Sequence, residues 1–185
     1  MPDTGSPWNI PYVESADLVS DWPADSLSLA NAIAAGLDAS GAAVKQIVSA
    51  SDSSDRTTTS ATFVDVTNVT LTITPTSATS KIIVVCSLSS YSRRDGNNTT
   101  DSYFQLADGS NVALAGAEGL RVGADDVTRV GASFKIYAPV TLVAIAEPAT
   151  TSAVTYKARF RRGNSLAGIL GATNTSKIYA IEVDV

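Results

Sequence analysis

The side chains best suited to bind a ligand are concentrated in one polar segment of the chain. Its members are Tyr91, Arg93, Arg94, Asp95, Asn97 and Asn98. Guanidinium groups, amides and neighbouring aromatic rings are the groups that bind anions and carbohydrates. The Asp-Gly and Asn-Asn pairs in RRDGNNTT (93–100) predict a loop. We therefore take these residues as a candidate receptor-contact loop, with an ordinary solvated hairpin loop as the alternative.

The residue types that catalysis and metal binding require are scarce. The chain has no His and a single cysteine, Cys86, which excludes His-based triads, internal disulfides and Cys-based zinc sites. Nothing in the sequence sets up Glu118, Glu147 and Glu182 as an acid/base pair, and no G-x-S-x-G motif occurs. The sequence therefore predicts a protein that is not an enzyme, with no cofactor and no metal.

Length and composition indicate one globular domain that is rich in β-structure. The chain has 185 residues, of which 44% are hydrophobic and 17% are charged. It holds 49 Val, Ile and Thr residues against 12 Leu, and β-branched side chains favour sheets over helices. The net charge of -5 argues against nucleic-acid binding, and no apolar run approaches a membrane span. The first residues lack the basic charge of a signal peptide.

From residue 43 onward the pattern is that of about nine or ten antiparallel strands joined by turns such as Asp108-Gly109. Cys86 is predicted to lie in a buried strand, and the other strands include ATFVDV (61–66), NVALAG (111–116), ASFKIYA (132–138) and VTLVAIA (140–146). VTLTIT (69–74) alternates cleanly, and KIIVVCSLSS (81–90) begins with an apolar run typical of a strand buried on both faces. We predict an all-β, jelly-roll-like antiparallel sandwich over residues 43–185. The predicted core consists of Val69, Leu71, Ile73, Ile82, Val84, Leu142, Ile145, Val154, Tyr156 and Ile181.

Residues 1–23 have the composition of an extended arm. Four prolines in this segment disfavour a helix or a central strand, and both tryptophans of the chain lie here. Large aromatic side chains gain little from exposure to water, so the arm is expected to dock on a partner or on its own body. The candidate anchoring residues are Trp8, Ile10, Pro11, Tyr12 and Trp22.

Residues 24–41 contain a short Ala-rich helix, predicted over 24–38. Its narrow apolar stripe consists of Leu27, Ala30, Ala34 and Leu37. Such a helix is not stable alone in water, so it either lies on the β-body or forms a neck around an oligomer axis. Residues 1–44 also hold six acidic residues and no Lys or Arg, which suits docking on a basic surface.

Two stretches resemble proteins of bacteriophage particles. WNIPYVESADLVSDWP (8–23) followed by an Ala-rich helix resembles the opening of minor tail and tail-fibre proteins. The run from VKQIVSA through SKIIVV (44–85), together with SAVTYKARFR (152–161) and the final SKIYAIEVDV, resembles a β-rich domain of virion-surface proteins. The resemblance implies a virion structural protein and a homotrimer, made in the bacterial host cytoplasm.

The resemblance also implies partners. These are other virion proteins of the tail, neck or capsid, further copies of the chain, and a host surface glycan, without nucleic acid and without membrane insertion. Because a single β-domain follows the helix directly, a short fibre or spike fits better than a long fibre. A capsid decoration protein, either head fibre or cement, is the alternative, and a polysaccharide hydrolase at a tail tip is the hypothesis from another class.

Overall fold

The computed structural model describes residues 26–33, 44–94, 100–124, 134–163, 166–169 and 174–183. The chain divides after Ala42, and the second unit, Ala43–Val185, is an antiparallel β-sandwich. The predicted all-β class is thereby confirmed. The strands of the described ranges are β1 (Val44–Asp52), β2 (Arg56–Thr58), β3 (Val64–Ile73), β4 (Lys81–Arg94), β5 (Thr100–Asp108), β6 (Leu120–Ala124), β7 (Phe134–Ala146), β8 (Val154–Arg162), β9 (Leu166–Ile169) and β10 (Ser176–Val183).

Helix α1 is described over residues 26–33. Leu27 and Ala30, which belong to the predicted neck stripe, are exposed to solvent there, and Leu27 is 62% exposed. Ala34 and Leu37 lie outside the described residues. Within the described ranges, no helix is long and apolar enough to cross a lipid bilayer.

The larger sheet is organised around β4, whose 14 residues make it the longest of the described strands. One edge of β4 pairs first with β10 and then, further along, with β9, while the other edge pairs with β7 over nearly its whole length. β1 extends this sheet beyond β10, and β2 extends it beyond β9. The smaller sheet has the order β3-β8-β5-β6.

The core lies between the two sheets and consists of alternate side chains of their facing strands. Most of the predicted core is buried there, and Cys86 lies among it as predicted. Val154 packs against this core while partly exposed. The largest fully buried side chains include Phe104, Ile73, Ile82, Leu88, Leu106 and Ile178.

Two predicted core residues are placed wrongly by the sequence pattern. Ile145 is 58% exposed, and Ile181 is only partly buried and does not belong to the core cluster. Successive residues of a strand point to opposite faces, so Ile145 cannot share the core with Leu142. In β7 the residues that point inward beside Leu142 are Val140 and Ala144.

Several strand boundaries also differ from prediction. β3 is one strand with an irregularity between Asp65 and Thr70, where Asn68 has a φ of 66°. Asn tolerates this left-handed conformation better than other residues with a side chain, which suits a β-bulge. β7 runs through Pro139, at which the pattern had predicted a break. The predicted strand over residues 111–116 contributes only an isolated bridge between Ala107 and Ala113.

Candidate functional site

The predicted receptor-contact residues do not all lie in a loop. Tyr91, Arg93 and Arg94 belong to strand β4, which continues four residues past the predicted end at residue 90 because β7 and β9 pair with it there. Tyr91 is almost fully buried, with its ring centre 6.0 Å from that of Tyr137. Asp95, Asn97 and Asn98 lie outside the described residues.

The predicted anchoring residues of the arm also lie outside the described ranges. These are Trp8, Ile10, Pro11, Tyr12 and Trp22. The described surface that remains for a functional site consists mainly of the two outer faces of the sandwich and the grooves between its strands.

The outer face of the smaller sheet is polar and carries an ionic cluster. Lys157 and Arg159 of β8 each contact the carboxylate of Asp65 on β3 at 2.8 Å. Partial burial would raise the pKa of Asp65, but hydrogen bonds and charges from both cations outweigh it and hold that pKa below its usual value. Threonines continue the polar surface, and Thr72 and Thr155 share a hydrogen bond of 2.9 Å across the strands.

Arg161 extends the same face toward β5. Its guanidinium carbon lies 3.9 Å from the centre of the Tyr103 ring and 5.2 Å from that of Phe63. Contacts of a guanidinium with aromatic rings at this distance are attractive cation-π interactions. The face is therefore a solvated surface whose charged groups are already paired with partners in the same chain.

The outer face of the larger sheet has the opposite chemistry. Directly paired positions on four neighbouring strands form one row: Ile47, Ile181, Ile83 and Ile145. The next row along the strands contains Tyr179, Val85 and Val143. We call these seven residues the isoleucine face.

The isoleucine face is not covered by any other element of the described sandwich. Ile47, Ile145 and Val143 are 61%, 58% and 51% exposed, and the four side chains between them are only partly buried. Single exposed apolar residues are common on protein surfaces, but a contiguous patch marks an interaction site. The apolar run of KIIVVCSLSS had predicted burial on both faces, and among the described residues only the inward face is covered.

A groove of about 520 Å³ lies beside the Asp108–Gly109 turn and is lined by Asp108, Glu147 and Tyr156 among others. Asp108 Oδ1 accepts hydrogen bonds from the backbone N–H groups of Ser110 and Val112, each at 2.9 Å, as in a local Asx turn. Glu147 forms an ion pair with Lys81 at 3.1 Å. Burial, together with the charge of Asp108, raises the pKa of Tyr156 to about 12. Both carboxylates therefore already have structural partners.

No cluster of three or more His, Cys, Asp or Glu side chains that could hold a metal ion occurs in the part of the chain that the structure describes. Comparison with known proteins identifies no relative of this chain. No protein-family model matches it, and no curated protein matches it significantly.

Proposed function

We propose that this chain is a non-enzymatic structural protein of a bacteriophage virion, of the short fibre or spike type. The observation that supports an assembled, displayed domain is the opposite chemistry of the two outer faces of the sandwich. An ionic, threonine-rich face suits exposure to solvent, whereas the isoleucine face suits burial against protein. The virion itself is inferred from the resemblance of residues 8–23 and 44–85.

In this proposal each segment of the chain has a separate task. The acidic, aromatic arm of residues 1–23 attaches the protein to the particle, because extended peptides bind through main-chain hydrogen bonds and large side chains. The helix forms a trimeric neck, with Leu27, Ala30, Ala34 and Leu37 near the axis. The sandwich is displayed outward, where the segment from Arg93 to Asn98 contacts a host surface glycan; Tyr91, which is buried, supports this segment from below.

Deleting residues 1–23 tests the attachment. The truncated protein is expected to keep the melting temperature of the full chain but to be missing from assembled particles, as judged by electron microscopy and protein gels of purified virions. A truncated protein that melts several degrees lower, yet still enters particles, would show that the arm is a structural lid and that the attachment proposal is wrong.

A capsid decoration protein is the second candidate. Only ten residues separate residue 33 from the start of β1 at Val44, so no repetitive shaft intervenes, and this suits a decoration protein as well as a short spike. Imaging of labelled particles separates the two candidates directly. Density on the capsid faces supports decoration, whereas density at the tail or neck supports a fibre or spike.

A further inference from the structure

We infer that the isoleucine face is the surface through which copies of this chain associate. The inference rests on the proposed function and deepens it, because it names the partner of the face that the assembled protein turns inward. Four strands spaced about 4.8 Å apart, with two apolar rows and a polar row on either side at about 6.8 Å per row, cover on the order of 500 Å². Two such faces together reach the roughly 1,000 Å² at which a specific protein interface begins.

The distribution of charge suits a contact between identical surfaces. A symmetry axis brings the same residue of each copy close to itself, so charged groups near the axis would repel one another. The seven residues of the isoleucine face carry no charge. Beyond one end of the rows lie Lys45, two residues before Ile47, and Lys81, which is neutralised by Glu147 at 3.1 Å; Lys177 lies beyond the other end, next to Ser87.

The β7 edge of the sheet is less suited to association than the face. β7 lies at the edge of the sheet and, among the described strands, pairs with β4 alone. Pro139 in the middle of β7 has no N–H to donate to an added strand, and proline is a recurrent protection of sheet edges. Sheet faces rich in β-branched residues pack closely against one another, and in the proposed trimer three copies of the isoleucine face would meet around the axis.

The test compares the full chain with two matched lysine variants. The first carries Ile47→Lys together with Ile145→Lys, at two exposed positions of the face. The control carries Val112→Lys, which is also an apolar-to-lysine change at an exposed residue, 62% exposed and on the loop after the Asp108–Gly109 turn. Sedimentation velocity across micromolar concentrations measures self-association, and circular dichroism confirms that each variant is folded.

We expect the wild type and the control to sediment as oligomers, and the double variant to associate at least about 100-fold more weakly because it buries two charges in an apolar contact. A wild type that remains monomeric at about 100 µM would overturn the inference, since the contact would then contribute less than about 5.5 kcal/mol of binding free energy. A double variant that associates as tightly as the control would overturn it as well.

If the double lysine variant does not fold, a variant that carries Val143→Thr and Ile145→Thr tests self-association through the same face. Threonine keeps the β-branched shape of both side chains. Co-sedimentation of a monomeric wild type with phosphatidylcholine vesicles would assign the face to lipid and reject self-association. The inference and the proposed function can fail separately. A chain that is monomeric but found in virions would overturn the inference and keep the proposed function. A chain that forms oligomers but is absent from virions would overturn the proposed function and keep the inference.

Discussion

The buried carboxylate of Glu182 accepts a hydrogen bond of 2.6 Å from the side-chain amide of Gln46, directly across the β10–β1 pair. Its other oxygen accepts the backbone N–H and the hydroxyl of Thr76 at 2.6 and 2.7 Å. Gln46 also donates to the carbonyl of Thr74 at 2.7 Å. One carboxylate thus joins the first strand, the last strand and the turn between β3 and β4.

Replacing Glu182 with Gln is expected to lower the free energy of unfolding by about 1–3 kcal/mol. The amide of Gln is uncharged and has one accepting oxygen, whereas the two charged oxygens of Glu182 accept three hydrogen bonds. Urea denaturation at neutral pH measures the loss. Glu147→Gln is the matched control: Glu147 is 68% exposed in a surface ion pair, so its loss is expected to cost about 0–1 kcal/mol. Equal losses in the two variants would contradict the role assigned to Glu182.

The contribution of Glu182 is expected to depend on pH. Burial would raise its pKa, but the hydrogen bonds from Gln46 and Thr76 outweigh this and lower the pKa to about 2, against 4.5 for an unperturbed glutamate. Because the pKa of Glu182 is lower in the folded than in the unfolded chain, its ionised carboxylate stabilises the fold fully above pH 4.5. This stabilisation, on the order of 2 kcal/mol, is lost as the pH falls toward 2. The stability gap between wild type and Glu182→Gln should therefore narrow between pH 7 and pH 3. A gap that stays constant over this range would contradict the pKa.

The side chains of the neighbouring residues Ile82 and Ile83 point to opposite faces of β4. Ile82 is buried in the core, whereas Ile83 belongs to the isoleucine face. Ile82→Ala is expected to cost about 2–5 kcal/mol, because it removes a fully buried side chain and leaves a cavity. Ile145→Ala, which truncates the exposed partner of Ile83, is expected to cost under about 1 kcal/mol in the monomer. Chemical denaturation of both variants at low protein concentration checks the contrast, and a reversed order would mean that β4 and β7 face the other way.

Local patterns were enough to predict those parts of the fold that local chemistry determines. The Asp108–Gly109 turn forms because the Asp108 side chain bonds to backbone groups two and four residues ahead. The strict alternation of VTLTIT places Val69, Leu71 and Ile73 in the core. Neither feature needs information from distant parts of the chain.

The errors arise where a strand is apolar on both faces or where pairing is distant in sequence. In VTLVAIA (140–146), alternation cannot say whether Leu142 or Ile145 faces inward, because both sets of alternate residues are apolar. Pro139 predicted a break, but an edge strand tolerates proline, and edge position is a property of the sheet. The short strands β2 and β9 pair with each other across more than a hundred residues, which no local pattern reveals.

The candidate site was only partly predictable for the same reason. The apolar run of KIIVVCSLSS predicted burial on both faces, which is the signal for the isoleucine face. The sequence did not show that Ile47, Ile181, Ile83 and Ile145 share one row. That alignment depends on the register of four strands, which side-chain packing in the core sets.

Gly163 is expected to be intolerant of a side chain. It donates its N–H to the carbonyl of Asp101 at 3.0 Å, and a Cβ built on it would overlap the carboxylate of Asp101, which is buried. Gly163→Ala should therefore destabilise the protein by about 1–3 kcal/mol through overpacking. Gly119→Ala is the control, since its Cβ would meet only the Phe63 ring at 3.9 Å. Thermal denaturation compares them, and equal melting temperatures would show that Asp101 moves aside freely.

Cys86 is expected to be unreactive in the folded protein. Its thiol is buried in the core, and burial raises its pKa to about 12, so the reactive thiolate is scarce at neutral or mildly alkaline pH. A thiol-specific reagent such as Ellman's reagent should therefore react with Cys86 only after the protein unfolds in urea. Thr141→Cys supplies the control, because residue 141 is exposed on β7 and its thiol should react within the mixing time at low protein concentration. Rapid labelling of the wild type in native buffer would mean that β4 opens locally or that its inward face is not sealed by the opposite sheet.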